Sequence, residues 1–540
     1  MSVRRNLLLV MALVAVLAFG SAGMAFAAAA KPAKNQTLTF NDGTEPETLD
    51  PNKSTGIPEA IIEINLFDGL TRLDKTDRPV AAIAKSWEIS KDGLEYTFHL
   101  RDAKWSNGDP VTAYDFEYSW KRALAPETAS EYAYQLYYIK NGEEYNTGKI
   151  KDANEVGVKA VDAKTLKVTL RAPTAYFLSL VAFPTYLPLN KKAVEAGGDT
   201  WYTKPETLVS NGPFKLAKWA HQDRIELVKN PTYWDAKNVK LDKLVMYMVE
   251  AESTELTMFE TGQLDLGHYP PRPEMPRLIA EKKVKFTPYL GTYYYFLNVN
   301  KPPFDNPKVR RAFALAINRK QIVEKVSKAG ELPAMAWVPY GIPDAKPGTD
   351  FRKVGGEYFK DNDVETARKL LAEAGYPDGK GLPPIEILYN TNENHKAIAE
   401  AIQEMWKKAL GANVTITNQE WKVYLQSRDE GRYQVARAGW IGDYVDPMTF
   451  IDMMMTDNGN NDSFWGDKKY DELVKVAQTT TDPKKRYKAM HDAEKILMDA
   501  MPLIPIYFYT NPVLQKDYVK DVIMSMLGFY DFKYAWIAQH

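Results

Sequence analysis

Cysteine is absent from the 540 residues. That excludes a disulfide framework, thiol chemistry and a thiolate metal site. Histidine is scarce, with six in the chain, and neither a Gly-x-Ser-x-Gly elbow nor a His-Glu-x-x-His helix occurs. The commonest sequence signs of a secreted hydrolase are therefore missing. Carboxylate pairs for glycoside cleavage stay open, because 70 acids offer many accidental pairs. Neither sign of charge is in excess: 69 Lys and Arg face 70 Asp and Glu, for a net charge of −1. This argues against a nucleic-acid or anionic-membrane partner. No motif calls for a cofactor or a metal, and neither common nucleotide-binding loop is present.

Long apolar runs are also lacking, apart from Leu7 to Phe19. Arg4 and Arg5 precede that run and Ala25-Phe26-Ala27 follows it, which is the pattern of a cleaved export signal over residues 1–27. The run is too short for a good membrane span. With no cysteine at the cleavage point, no lipid anchor is expected, and a periplasmic location is the simplest expectation. The remaining chain is longer than one core usually serves, so two or three lobes are expected. Aromatic residues are plentiful, with 32 Tyr and 12 Trp. Each presents a flat apolar body with a polar tip, suited to the core and to gripping a varied ligand.

Strands and helices alternate along the chain. Residues 37–41, 95–100 and 165–170 alternate apolar and polar positions as strands. Residues 309–328 carry a helical pattern, started by Asp305, Asn306 and Pro307. The clearest unit is β-α-β-α-β over 385–439: strands at 385–389, 414–416 and 433–438, with helices at 396–410 and 421–430. This predicts an α/β fold with parallel strands, whose ligand sits beyond the strands' C-terminal ends. His395 follows the first strand, while Trp440 and Asp443 follow the third, so all three fall on one rim. In the stretch Val435-Ala-Arg-Ala-Gly-Trp-Ile-Gly-Asp-Tyr444, Arg437 and Asp443 flank Trp440. The stretch can meet both ends of a zwitterion, or form a surface ion pair beside a core tryptophan.

Several stretches together carry a resemblance: Asp102-Ala-Lys-Trp-Ser-Asn-Gly-Asp-Pro-Val-Thr-Ala113, Asn211-Gly-Pro-Phe214, Asn230-Pro-Thr-Tyr-Trp234, Tyr293-Tyr-Tyr295, Lys301-Pro-Pro-Phe304, and Asn418-Gln-Glu-Trp-Lys422 leading to Trp440. The chain resembles the extracytoplasmic solute-binding proteins, family 5, of peptide ABC transporters, especially the periplasmic oligopeptide-binding members. The resemblance implies a type II clamshell of two α/β lobes plus an extra lobe, with mixed sheets. Lobe I would comprise 37–67, 192–290 and 511–540; lobe II, the extra lobe, 68–191; and lobe III 291–510. It implies a monomeric carrier, not an enzyme, that delivers short peptides to a membrane permease driven by a separate ATPase subunit.

The resemblance also assigns roles. Asp443 matches the residue that takes the peptide amine, and Arg437, Arg428 and His395 match cations that take the carboxylate. Trp440, Trp421, Tyr132, Tyr294 and Tyr509 match pocket walls, with Tyr289, Asn460 and Ile57 as further contacts. Gly439 and Ala438 would lend backbone groups to the peptide. The chain departs from the pattern at Thr55 and Phe296, where acids are expected, and at Ser327, where a lysine is expected beside the present Lys328. Fewer pocket acids imply a weaker preference for Lys- and Arg-containing peptides. The same fold holding another solute (a sugar, nickel chelate, opine or heme) is the alternative, and a secreted hydrolase the more distant one.

Overall fold

The computed structural model describes residues 30–268 and 270–540, so the export signal expected at 1–27 lies outside the described residues. Three larger sheets organise the chain. A seven-stranded sheet runs in the order Val284–Thr287, Asn511–Gln515, Leu266–Gly267, Thr37–Asn41, Lys243–Tyr247, Arg224–Lys229 and Phe214–Ala220. A six-stranded sheet runs Leu332–Pro333, Leu503–Phe508, Gly291–Leu297, Val435–Ile441, Ile385–Asn390 and Val414–Gln419. A four-stranded antiparallel sheet is built from Ala84–Ile89, Glu95–Leu100, Thr165–Thr169 and Val158–Asp162. The two largest sheets mix parallel and antiparallel pairs. The chain passes between them twice, just before Gly291 and just after Phe508. Among the described residues no helix is long and apolar enough to cross a membrane.

The β-α-β-α-β unit forms as its periodicity predicts. Ile385–Asn390 pairs in parallel with Val414–Gln419 and with the start of Val435–Ile441. The helix Glu393–Leu410 buries Ile398, Ile402, Trp406 and Leu410 along one face, and Asn392 caps it by accepting the His395 N–H at 2.9 Å. Gly411 ends it at φ +66°. The helix expected over 309–328 is interrupted. Pro307–Leu315 is followed by a turn at Arg319–Gln321 and a wider coil over Ile322–Ser327. The fully buried Arg319 donates to the carbonyls of Ala314 (3.1 Å) and Pro505 (2.7 Å), and the Asn318 side chain caps the new turn. Side-chain hydrogen bonds thus replace the helical ladder there.

Two stretches that carry the family resemblance are structural. Tyr233 Oη and Trp234 Nε1 both donate to Asp68 Oδ2 at 2.8 Å, Arg72 binds Asp68 Oδ1 at 3.0 Å, and the Asn211 amide exchanges two bonds with the Asp68 backbone. A Cβ on Gly212 would stand 2.6 Å from the Leu66 carbonyl, so that close approach requires glycine. In the six-stranded sheet, Tyr294 packs edge-on to Trp337 at 4.7 Å. Trp337 is held by Glu494, which accepts the N–H groups of Trp337 (3.0 Å) and Val338 (2.8 Å), the Tyr358 hydroxyl (3.0 Å) and the Arg352 guanidinium.

Glu494 and Arg352 are both buried, so removing one strands the other's charge. Glu494→Ala is expected to lower unfolding stability by about 3–5 kcal/mol in urea denaturation. A loss below about 1 kcal/mol would contradict this role.

Candidate ligand-binding site

The residues that the sequence singles out converge. Asp443, Arg437, Arg428, His395, Trp440, Gly439, Trp421, Tyr132, Tyr294, Tyr509, Tyr289, Asn460, Thr55 and Ile57 all line one cavity. Its floor is the end of the Val435–Ile441 strand. That strand pairs with Gly291–Leu297 along its whole length, but with Ile385–Asn390 only through Val435 and Ala436. Beyond Ala436 one edge is therefore open. Gly442 donates to the Leu290 carbonyl at 2.8 Å, and the Tyr424 hydroxyl reaches the Arg437 carbonyl from the other side. By the alternation of an antiparallel pair, Ala438 and Trp440 point their backbone groups at the neighbouring strand, whereas Gly439 and Ile441 point theirs at the open edge. A Cβ on Gly439 would stand 2.4 Å from the Tyr509 hydroxyl, so glycine also makes room there.

Two expected contacts are corrected. Ala438 does not line the cavity, and its backbone is turned toward Tyr294, its partner in the sheet. Phe296 is fully buried beneath the cavity wall, edge-on to Tyr294 at 4.8 Å and 5.4 Å from the Arg428 guanidinium. It supports the wall without forming it. Ser327 and Lys328 also lie outside the cavity lining.

Asp443 is buried and accepts from Gln135 Nε2 (2.6 Å), the Tyr132 hydroxyl (3.2 Å) and the Thr449 hydroxyl (3.2 Å). Every donor is neutral, and among the described residues no ion pair involves Asp443. Burial first, and then Asp452, hold its carboxyl well above the usual carboxylate range. Tyr132 stacks 6.2 Å from Trp440, whose indole N–H donates to the Thr449 carbonyl at 2.7 Å.

Arg437 is the opposite case. It donates to Tyr509 Oη (2.7 Å) and Asn390 Oδ1 (3.3 Å) and lies 4.6 Å over the Tyr293 ring, with no carboxylate partner among the described residues. The other two assigned cations differ from it. Arg428 is already held by Asp462, Nε to Oδ2 at 2.7 Å. His395 is held well below the usual histidine range by burial and then by the charges of Arg437 and Arg272, so it is neutral here. The cavity also contains residues that sequence reasoning missed: Arg272, Glu252, Glu131 and Asp429 line it, while Gln135 and Thr449 hold Asp443.

Burial is the first cause of the raised carboxyl groups here. Glu59 and Asp452 are pushed up to about 7 and Glu252 to about 8. These acids keep protons in the folded chain that the unfolded chain releases near pH 4, so their effect is to lower stability as pH climbs from about 4 to about 8. Buried His268, pushed down to about 3, and His395 act in the opposite sense, but only below pH about 6.5. The melting temperature of the ligand-free protein is therefore expected to fall between pH about 6.5 and about 8. A constant or rising value would contradict the acids' protonated state.

Comparison with known proteins agrees with this architecture. Residues 78–522 match the family model of the bacterial extracellular solute-binding proteins, family 5 Middle. The chain is 44% identical to the oligopeptide-binding protein OppA of Bacillus subtilis, over 93% of this chain and 92% of that one. It superposes on Haemophilus influenzae OppA, solved in complex with the peptide RPPGFSPFR, with a TM-score of 0.88 at 36% identity, covering 94% of this chain and 100% of that one. On the Escherichia coli murein tripeptide binding protein MppA the TM-score is 0.89, covering 94% of this chain and 100% of that one, but on the unliganded open form of MppA it is 0.62, covering 95% and 99%. Both MppA comparisons are at 35% identity. The chain as a whole is thus arranged unlike that open form, in keeping with a cavity whose side chains are largely buried. The chain belongs to the bacterial extracellular solute-binding proteins, family 5, a family of solute-binding proteins rather than enzymes.

Proposed function

We propose that this protein captures short peptides outside the cytoplasm and delivers them to the membrane permease of an ABC importer. The observation that carries the reading is a buried carboxyl and a buried guanidinium in one cavity, neither with a partner of opposite charge among the described residues. Asp443 is surrounded by neutral donors, and Arg437 has no carboxylate. A zwitterion with an extended backbone supplies what each lacks. Its α-ammonium meets Asp443, its carboxylate meets Arg437, and its backbone adds to the open edge at Gly439 and Ile441. A sugar has no charged termini for either group. The peptide-binding names of the relatives support the same reading.

The protein works as a monomeric periplasmic carrier without nucleic acid, cofactor or metal, and a separate ATPase subunit drives transport. The lobes follow the sheets: 37–67, 192–290 and 511–540 as lobe I, 68–191 as lobe II, and 291–510 as lobe III. Peptide touches lobes I and III together, so it binds the closed arrangement better than the open one and shifts the population toward it.

Asp443→Asn leaves the peptide ammonium buried without its counter-charge, so calorimetry with a tripeptide such as Ala-Phe-Ala is expected to show a loss of about 3–5 kcal/mol. The bound ammonium also draws the raised Asp443 carboxyl down, so binding to the wild type is expected to release more protons than binding to the variant. Unchanged affinity in the variant would overturn the assignment. Mass spectrometry of ligand released from the purified protein gives a second check. Mixed short peptides support the reading, and a single sugar, chelate or cofactor overturns it.

A further inference from the structure

Arg272 opens a short turn, Arg272–Glu274, directly after Pro270-Pro271, and it reaches the same cavity as Arg437 and His395. Its Nε and Nη1 are buried without a hydrogen-bond partner among the described residues, and so is the Nε of Arg437. The nearest acid, Glu331, stands 3.7 Å from Arg272 Nη1, too far for a hydrogen bond. The other Glu331 oxygen is taken by the Ala329 N–H at 2.9 Å. Glu252, which accepts from Asn392 at 3.0 Å, carries little charge near neutral pH because burial holds its proton. The two guanidiniums thus share one pocket with the neutral His395 and with Tyr509, and buried donors on both are unmet.

A single carboxylate docked on Arg437 leaves Arg272 as it was, with buried donors unsatisfied. A second carboxylate on the same ligand completes the set. Among the described residues one acid, Glu331, forms an ion pair with either arginine, so the two guanidiniums of Arg272 and Arg437 outnumber it and favour a dianionic group. The neutral His395 offers a further site for a proton as negative charge enters. We infer that Arg272 and Arg437 form a two-cation subsite that selects peptides whose C-terminal residue bears an acidic side chain, the α-carboxylate meeting Arg437 and the side-chain carboxylate meeting Arg272. The inference rests on the peptide reading above and names a ligand class within it.

The test is calorimetry with matched pairs, Ala-Ala-Glu against Ala-Ala-Gln and Ala-Ala-Ala-Glu against Ala-Ala-Ala-Gln, at neutral pH. In the wild type the Glu peptide is expected to bind about tenfold or more tightly at one length at least. Arg272→Gln brings the Glu/Gln ratio to within about twofold. Arg272→Lys keeps part of it, because charge remains while the planar fork is lost. A melting curve for each variant establishes that it is folded, and the ratio is the readout whatever the overall affinity. Equal binding of Glu and Gln peptides by the wild type, or a full ratio retained in Arg272→Gln, overturns this inference alone. Failure of all four peptides to bind overturns the peptide reading with it.

Discussion

An ionisable group buried without a counter-charge is costly, and this protein holds a carboxyl and a guanidinium of that kind in one cavity. Asp443 lies at one place and Arg437 at another, each hydrogen-bonded by neutral groups that orient it without neutralising it. Such groups normally shift their protonation or acquire partners. Asp443 does the first, its carboxyl held well above the usual range by burial and then by Asp452. Arginine cannot do so, and Arg437 is left with tyrosine rings and hydroxyls instead. In the proposed function the ligand's termini are the missing partners, so ligand binding would relieve a cost that the fold sustains in their absence.

The rest of the molecule keeps that arrangement in place. The Val435–Ile441 strand is fixed along one side by Gly291–Leu297 and left open on the other where the Ile385–Asn390 pairing stops. Behind it, Tyr294 leans on Trp337, and Glu494 secures Trp337 through two backbone N–H groups. The seven-stranded and six-stranded sheets are linked by two short crossings, and Tyr289, Tyr509 and Thr510 in those crossings line the cavity. Arg272, Glu131 and Asp429 are among the side chains set around this frame.

Periodicity made the β-α-β-α-β unit legible, because the helix Glu393–Leu410 shows its buried stripe and its glycine stop in sequence. It also placed Arg437, Trp440 and Asp443 together, since they sit on one strand and its exit loop. Contacts between distant segments were not legible. Tyr132 and Gln135 reach Asp443 across 311 and 308 residues, and no local pattern in the turn Glu131–Leu136 announces it. Arg272 is a lone arginine after two prolines, and only the fold brings it beside Arg437. Ala438 is assigned with Gly439 through the family resemblance, which does not say which edge each backbone faces, and in the sheet the two face opposite edges. The error at Phe296 came from treating a position as pocket wall when it lies one layer deeper. The neutral state of His395 depends first on its burial and then on two arginines, one of them on a distant turn.

The account's central claim is that both termini of a peptide are bound through charge. The most direct measurement is calorimetric titration of one peptide in four forms: free, N-acetylated, C-amidated and doubly blocked. The account requires that acetylation removes most of the affinity, that amidation weakens it, and that the doubly blocked peptide does not bind measurably. An acetylated peptide that binds as tightly as the free one would contradict it.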